Sequence, residues 1–285
     1  QSLAVDTVTG ATFTSRAILN AVEDCLAQAG GDIEALKADL NLPKAEDIEK
    51  TADLIIVGGG GAGLTSAIAA TQNGANVIVI EKMGTLGGNS MVSGGIYNAP
   101  DPEAQAPLGI EDSPEFFAQQ TWEGGDKIAN KELVDEMCFN ALDAWNWLID
   151  IGTPVRDTLS IGVGALWKRT HSVDGGANGA YPLIASLKAE AEKQGAEIML
   201  ETEAKELLTD GGRVVGVTAY KQDGTKVTVH ASKGVVLATG GFAGNIDMVL
   251  EYNNYWANLG PDAKNDNTST INGDGIKMAQ AVGAN

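Results

Sequence analysis

Short apolar runs alternate with helical patterns along most of the chain. Residues 54–57 and 77–80 are wholly apolar, which is typical of strands buried on both faces of a parallel sheet. Residues 62–73 lie between these runs, have helical spacing and stop at Gly74. A strand, a helix and a strand within about thirty residues predict a right-handed crossover unit. The chain is therefore predicted to have an α/β fold.

The N-terminal part has a different pattern. Thr14 or Ser15 is a candidate helix N-cap, and apolar residues then recur at helical spacing over residues 18–26 until a glycine pair ends the segment. A mostly polar stretch follows. We therefore divide the chain into a loop and helix over residues 1–31, a linker over 32–51 and an α/β domain over 52–285.

The second half of the chain predicts further strands. The hairpin signals Asp-Gly-Gly at 210–212 and Asp-Gly at 223–224 separate three β-patterned runs, which predict an antiparallel meander inserted into the parallel sheet. Helices are predicted over 114–120, 131–149, 181–194 and 275–282, and strands over 197–200, 204–208, 213–220, 226–230 and 234–238.

Charge and cysteine content exclude some classes of site. The chain has 19 Lys and Arg against 38 Asp and Glu, so its net charge is −19. A surface that follows phosphates needs clustered basic residues, and nucleic acid is therefore not an expected partner. No apolar run approaches the length of about eighteen residues that a membrane span needs. Cys25 and Cys138 form neither a zinc-type pair nor a CxxCH haem site, and both are predicted to be buried free thiols in helices.

A glycine fingerprint follows the first predicted strand. Gly58 allows a tight turn, Gly60 lets the backbone approach a pyrophosphate, and Gly63 lets the following helix pack closely on the sheet. Glu81 ends the second strand, where a carboxylate binds both ribose hydroxyls and would repel a ribose phosphate. The pattern predicts a dinucleotide other than NADP, bound with its phosphates at the helix N-terminus.

Two further glycine pairs, at 87–88 and 94–95, distinguish FAD from NAD. A flavin must lie against bare backbone, and an NAD site has no need of glycines at these positions. From about residue 52 onward the chain resembles the FAD-binding domain of the fumarate reductase and succinate dehydrogenase flavoprotein family. The resemblance includes Ala-Thr-Gly-Gly at 238–241 and Gly-Asp-Gly at 273–275. It implies a Rossmann-like FAD-binding domain.

The same resemblance implies a set of residues in contact with non-covalently bound FAD. Asp274 also has a simpler interpretation, as the cap of the helix that follows it. The set is Gly58, Gly60, Ala62, Gly63, Glu81, Lys82, Gly87, Gly88, Asn89, Ser90, Gly94, Gly95, Ala204, Thr239, Gly240 and Asp274.

A second motif lies just before the first predicted helix. Asp-Thr-Val-Thr-Gly-Ala-Thr at 6–12 resembles the flavinylation motif of FMN-binding domains, in which FMN is esterified through its phosphate to the last threonine. The resemblance implies covalent FMN at Thr12, attached by a flavin transferase, and makes residues 1–31 the tail of an FMN-binding domain. The alternative is that this string is only a helix cap.

Together these resemblances imply a reductase of the C=C bond of a small unsaturated carboxylate, of the fumarate or urocanate reductase type. Electrons would come from an external donor and pass from FMN to FAD. The alternatives are a related ketosteroid dehydrogenase or aspartate oxidase, and an electron-transfer subunit without a substrate of its own. A cell-envelope or extracytoplasmic location is favoured over the cytoplasm.

No catalytic residue is assigned within the chain. In the family that it resembles, the substrate-binding residues and the proton-donating arginine follow the Gly-Asp-Gly segment, and a capping domain closes over the substrate. The FAD-binding domain is therefore expected to be incomplete here. His171, Arg156 and Arg169 are interpreted as structural, and the tryptophans at 122, 145, 147 and 167 as core.

Overall fold

The structure, a computed structural model, describes residues 12–37, 45–176 and 179–284, with side chains from residue 17 onward. The chain divides into two compact units. The first comprises the described parts of Gln1–Gly58, Ile78–Gly84 and Met199–Asn285, and the second comprises Gly59–Val77 and Thr85–Ile198. The largely parallel α/β sheet architecture that the sequence predicted is confirmed.

The first unit is built on a six-stranded sheet. Its strands are β1 (Ile48–Val57), β2 (Val77–Ile80), β5 (Glu197–Met199), β6 (Thr202–Asp210), β7 (Arg213–Lys221) and β8 (Lys226–Leu237). Their order across the sheet is β5-β2-β1-β8-β7-β6. Strands β1 and β8 pair in parallel, whereas β8 with β7 and β7 with β6 pair antiparallel. The predicted meander therefore forms one side of the sheet.

Apolar side chains from these strands form the core of the first unit. Ile55 is fully buried, as are Val217, Val227 and Val229, and Met278 packs against them from a helix, α11 (Asp274–Ala281). The other helices of this unit are α1 (Thr12–Gln28), α2 (Ile33–Lys37) and α10 (Ile246–Tyr252).

Two strand predictions needed correction in this unit. The runs at 226–230 and 234–238 were predicted as separate strands, but they form one strand, because β8 pairs with β1 on both sides of the polar Ser232 and Lys233. The register shifts between Ala52 and Leu54, which accommodates this irregular stretch. Strand β1 also begins at Ile48, within the stretch predicted as a linker.

The prediction that Cys25 is buried is wrong. Its thiol lies on an exposed part of α1, where Ile18 and Val22 are also 59% and 41% exposed. Helix α1 packs on the five-residue helix α2, which is too short to cover the apolar face of α1. Cys138 is buried, as predicted, and burial raises the pKa of its thiol.

The second unit is mainly helical. Its elements are α3 (Gly61–Gln72), α4 (Gly88–Val92), β3 (Ile96–Asn98), α5 (Pro102–Gln105), a 3₁₀ turn (Ala106–Leu108), α6 (Pro114–Gly124), α7 (Lys131–Phe139), α8 (Ala141–Asp150), β4 (Thr170–Ser172) and α9 (Tyr181–Lys193). Helix α3 packs against α9, and α6 packs against α7, while β3 and β4 form a separate antiparallel pair.

The helix predicted over 131–149 is divided in two at Asn140. The Asn140 backbone leaves helical geometry at φ −98° and ψ 4°. Its side-chain Nδ2 donates to Glu136 O at 2.7 Å, so the residue bonds back onto α7 instead of continuing it. The spacing of apolar residues alone does not reveal that a side chain ends the helix at this position.

Candidate functional site

Gly58 closes the turn after β1, and the protein itself requires a glycine there. Its φ is +105°, and a Cβ at this position would overlap Ala238 O. Its amide donates to Ile80 O at 2.8 Å, which ties the turn to β2. The tight turn predicted from the fingerprint is therefore formed by backbone alone.

Gly60 is the N-cap of α3 and has a different environment. Its backbone is extended, with φ −78° and ψ −172°, which any residue can adopt. A Cβ at this position would lie 3.7 Å from Gly87 O, an ordinary van der Waals distance. Neither the backbone conformation nor packing against the described residues requires glycine at this position. An approaching ligand would require it.

The first turn of α3 presents amides without intrahelical acceptors at that position. The helix has 12 residues, its N-cap residue Gly60 has no side chain to cap it, and no acidic residue lies in its first turn. The Gly61 amide donates to Ser90 Oγ at 3.3 Å. The next two amides, of Ala62 and Gly63, have no intrahelical acceptor because of helix geometry. This end of α3 fits a phosphate group.

The 87–95 segment of the second unit lies against the same turn. Gly87 N donates to Gly59 O at 2.9 Å, and Ser93 Oγ donates to Ser90 O at 2.9 Å. Gly87 and Gly95 have φ of +115° and +67°. At Gly94, in contrast, no atom of the described residues lies within 4 Å of the position that a Cβ would take. The structure thus brings Gly60, Gly87 and Ser90 together, whereas no described residue crowds Gly94.

Glu81 is fixed at the end of β2 in the first unit. It is 8% exposed, and its backbone pairs with Met199 O and Thr202 N, each at 2.9 Å. Its Oε1 accepts from Met83 N at 2.8 Å. The carboxylate is therefore held just past the carboxyl end of β2, and ligands of open α/β sheets bind at the carboxyl ends of strands.

Lys82 and Asp274 are 192 residues apart in sequence but in contact. Lys82 Nζ lies 2.8 Å from Asp274 Oδ2. With its amide nitrogen facing Asp274, Asn272 also donates to both carboxylate oxygens, at 2.7 and 2.9 Å. The cap of α11 is Gly273, with no side-chain bond, so Asp274 does not cap the helix. The sequence carried no signal for the Asn272 contact.

The remaining predicted residues of the first unit lie on or after strands. Ala204 is a buried residue of β6 and precedes a register shift. Thr239 and Gly240 follow β8, and a Cβ at Gly275 would overlap the Thr239 hydroxyl. Thr12 is the first residue of α1, and the rest of its motif, residues 6–11, lies outside the described residues.

The side chains interpreted as structural have partners inside the second unit. Arg169 binds Asp112 through Nε and Nη2, both at 2.8 Å, and Arg156 is exposed beside Asp174. His171 Nε2 lies 3.2 Å from Ala99 O, and burial lowers the pKa of its imidazole. His171 packs against Trp145, which is 3% exposed.

This arrangement agrees with the comparison with known families. Residues 53–285 match the FAD binding domain family. The chain belongs to this family. Residues 1–27 match the FMN-binding domain family. The resemblance that rests on the glycine pattern and on the motif ending at Thr12 is confirmed at the level of both families.

Curated relatives of this chain are reductases or oxidoreductases by name. A urocanate reductase of Eggerthella lenta is 34% identical over 100% of this chain and 47% of its own length. An NADH:fumarate oxidoreductase of Klebsiella pneumoniae is 36% identical over 98% of this chain and 29% of its own length. An NADH:acrylate oxidoreductase of Vibrio harveyi is 30% identical over 100% of this chain and 34% of its own length. The chain therefore spans less than half the length of each of these relatives.

Solved structures agree with this family. The open conformation of a flavocytochrome c3 fumarate reductase superimposes with a TM-score of 0.76 at 31% identity, over 89% of this chain and 43% of that one. A 3-ketosteroid-Δ4-(5α)-dehydrogenase of Rhodococcus jostii gives a TM-score of 0.73 at 29% identity, over 87% of this chain and 56% of that one.

Membrane and metal features are not found in the part of the chain that the structure describes. None of the described helices combines the length and apolar character that a membrane crossing requires. Within the same residues, no cluster of His, Cys, Asp and Glu is arranged to hold a metal ion.

Proposed function

We propose that this chain is the flavin-binding part of a reductase that acts on the C=C bond of a small unsaturated carboxylate. Three relatives support this substrate class, because urocanate, fumarate and acrylate all carry a double bond next to a carboxylate. FAD, when bound, would supply hydride-transfer chemistry, with electrons reaching it from an FMN on the same chain.

The residues of the chain would bind and orient FAD. In the second unit, the amides of Ala62 and Gly63 would donate to its phosphates, and Gly60 would leave room for their approach. In the first unit, the buried Glu81 carboxylate would accept hydrogen bonds from ribose hydroxyls. Ala204, Thr239, Gly240 and Asp274, together with the 87–95 segment, complete the proposed contact set.

The observation that carries the reductase proposal is the FMN-binding match at residues 1–27, on the N-terminal side of the FAD binding domain at 53–285. We propose that FMN is attached as a phosphoester at Thr12 by a flavin transferase, and that residues 1–31 are the tail of its domain. A ketosteroid-type dehydrogenase, favoured by the second superposition, would need no such attachment.

The attachment is tested in the full-length protein, produced together with its flavin transferase. Thr12→Ala should abolish flavin fluorescence of the denatured protein band while leaving the extractable FAD unchanged. Thr14→Ala, two residues away on the same helix, is the control and should keep the fluorescent band. A fluorescent band that survives in Thr12→Ala would refute the attachment site.

The substrate class is tested with the same full-length protein. Reduced viologen dye should be reoxidised upon addition of fumarate, urocanate or acrylate. An electron-transfer subunit would show no turnover with any of the three. Oxidation of a steroid or of aspartate, without reduction of these acids, would favour the dehydrogenase or oxidase alternatives. The electron donor is a separate question. Two relatives name NADH, and for this protein we propose an external donor.

A further inference from the structure

A cavity of about 440 Å³ in the second unit is bordered by a buried arginine. The Arg169 side chain is 4% exposed, and its guanidinium lies over the Phe117 ring at 4.6 Å. Nε and Nη2 bind Asp112, and Nη2 also donates to Gln120 Oε1 at 2.7 Å. Among the residues that the structure describes, Nη1 has no hydrogen-bond partner.

The two amide side chains at this cavity are oriented by their neighbours. Arginine cannot accept a hydrogen bond, so the Gln120 oxygen must face Arg169 and its Nε2 must point away. Asn98 Oδ1 accepts from the Thr170 hydroxyl, which itself accepts from the Gly162 amide at 2.9 Å. Neither Asn98 Nδ2 nor Gln120 Nε2 has a partner within the described part of the chain.

These unpaired nitrogens are not sealed inside the protein. Among described residues that are not exposed, the fully buried side-chain polar atoms without a partner are Thr153 Oγ1 and Thr225 Oγ1. Arg169 Nη1, Asn98 Nδ2 and Gln120 Nε2 are not among these fully buried atoms. All three residues line the cavity. Each of these nitrogens therefore has some accessible surface.

The described walls of the cavity carry donors but no acidic side chain. None of the twelve described residues that line it is Asp or Glu, in a chain with a net charge of −19. The nearby Asp112 carboxylate is fully used, because it accepts from Arg169, from Gln105 Nε2 and from Ser113 N. The other walls include the apolar side chains of Phe117, Leu166 and Trp167. Trp167 is held in place by a bond from Nε1 to Glu111 O at 3.1 Å.

We propose that this cavity binds a small carboxylate with a flat apolar body. The two carboxylate oxygens would accept from Arg169 Nη1, Asn98 Nδ2 and Gln120 Nε2, and the body would pack against Phe117 and Trp167. A carboxylate is preferred over a neutral acceptor because its hydrogen bonds to a guanidinium are charge-assisted. The volume falls within the range of small-molecule sites. None of the lining residues belongs to the predicted FAD-contact set.

Benzoate is the probe, and the FAD-loaded full-length protein is titrated with it by isothermal calorimetry. Binding with a Kd of about 1 mM or tighter is expected, and benzyl alcohol should bind about tenfold more weakly. Gln120→Glu keeps an acceptor facing Arg169 but replaces the free donor with a negative charge. It should weaken benzoate binding about tenfold or more.

Gln119→Glu is the matched control, because Gln119 is an exposed neighbour on the same helix and does not line this cavity. It should leave benzoate binding unchanged. Ala165→Leu is a second variant that fills the cavity and leaves every bond of Arg169 in place, so it decides the question if Gln120→Glu does not fold. Equal benzoate affinity in wild type and Ala165→Leu, no binding to wild type, or equal affinity for benzyl alcohol would each overturn the proposal.

Discussion

The glycines of this chain serve two different purposes, and Gly58 and Gly60 show the contrast within one turn. At Gly58 the protein requires a glycine, because φ is +105° and a Cβ would overlap Ala238 O. At Gly60 the backbone suits any residue and the nearest protein atom to a Cβ is 3.7 Å away. The glycine fingerprint in the sequence does not distinguish these two positions. Their substitutions should therefore affect different properties, folding at one position and cofactor binding at the other.

The largest effect is expected at Gly58. Gly58→Ala should lower the free energy of unfolding of the FAD-free protein by about 3 kcal/mol or more, from combined backbone strain and overlap. Urea denaturation measures this change. Gly74→Ala is the control, because Gly74 has φ +79° but open space around a Cβ, and it should cost only about 1–2 kcal/mol. Equal losses for the two variants would show that the overlap at Gly58 is not important.

Gly60→Ala should have the opposite profile. The free energy of unfolding of the FAD-free protein should change by less than about 1 kcal/mol, since the loss of a favourable N-cap is offset by reduced chain entropy. FAD affinity, measured by quenching of flavin fluorescence, should fall about tenfold or more, because the methyl group occupies the path of the phosphates. Full FAD affinity in this variant would remove the functional distinction between the two glycines.

Glu81 tests the distinction between folding and cofactor binding with a side chain instead of a glycine. Glu81→Ala should weaken FAD binding by about 1–3 kcal/mol, the range for leaving a polar partner unpaired. FAD occupancy after dialysis is the measurement. Glu206→Ala, at an exposed position of β6, should retain full occupancy. If both variants retain FAD equally, then Glu81 does not bind the ribose.

The sequence predicted the fold well where the local pattern of apolar residues and turn signals determines an element. Val77–Ile80 is a strand with the predicted bounds, because a four-residue apolar run between turn signals has the length of a strand and is too short for a typical helix. The single strand β8 and the break at Asn140 were missed, since one depends on pairing with β1 and the other on a side chain bonding back to its helix. Burial of Cys25 was wrong because helical spacing identifies an apolar face but not its partner.

Some features of the candidate site could likewise be predicted from the sequence, and others could not. Glycine spacing located the turn, but it could not show which glycines the protein itself requires. The contact between Lys82 and Asp274 joins residues 192 positions apart, which no local pattern encodes. The orientation of the Gln120 amide likewise depends on Arg169, which lies 49 residues further along the chain.

The smallest effect is expected at this Lys82–Asp274 pair. The two side chains are 25% and 30% exposed, and ion pairs of this kind contribute about 0–1 kcal/mol to stability. Asp274→Asn keeps the size of the side chain and removes its charge, so the free energy of unfolding of the FAD-free protein in urea should change by less than about 1 kcal/mol. Its FAD affinity should nevertheless fall if Asp274 contacts the cofactor. Asp247→Asn, at the first turn of α10, is the control and should affect neither property by more than that amount. A loss of stability without a loss of FAD affinity would show that Asp274 serves the fold and does not contact FAD.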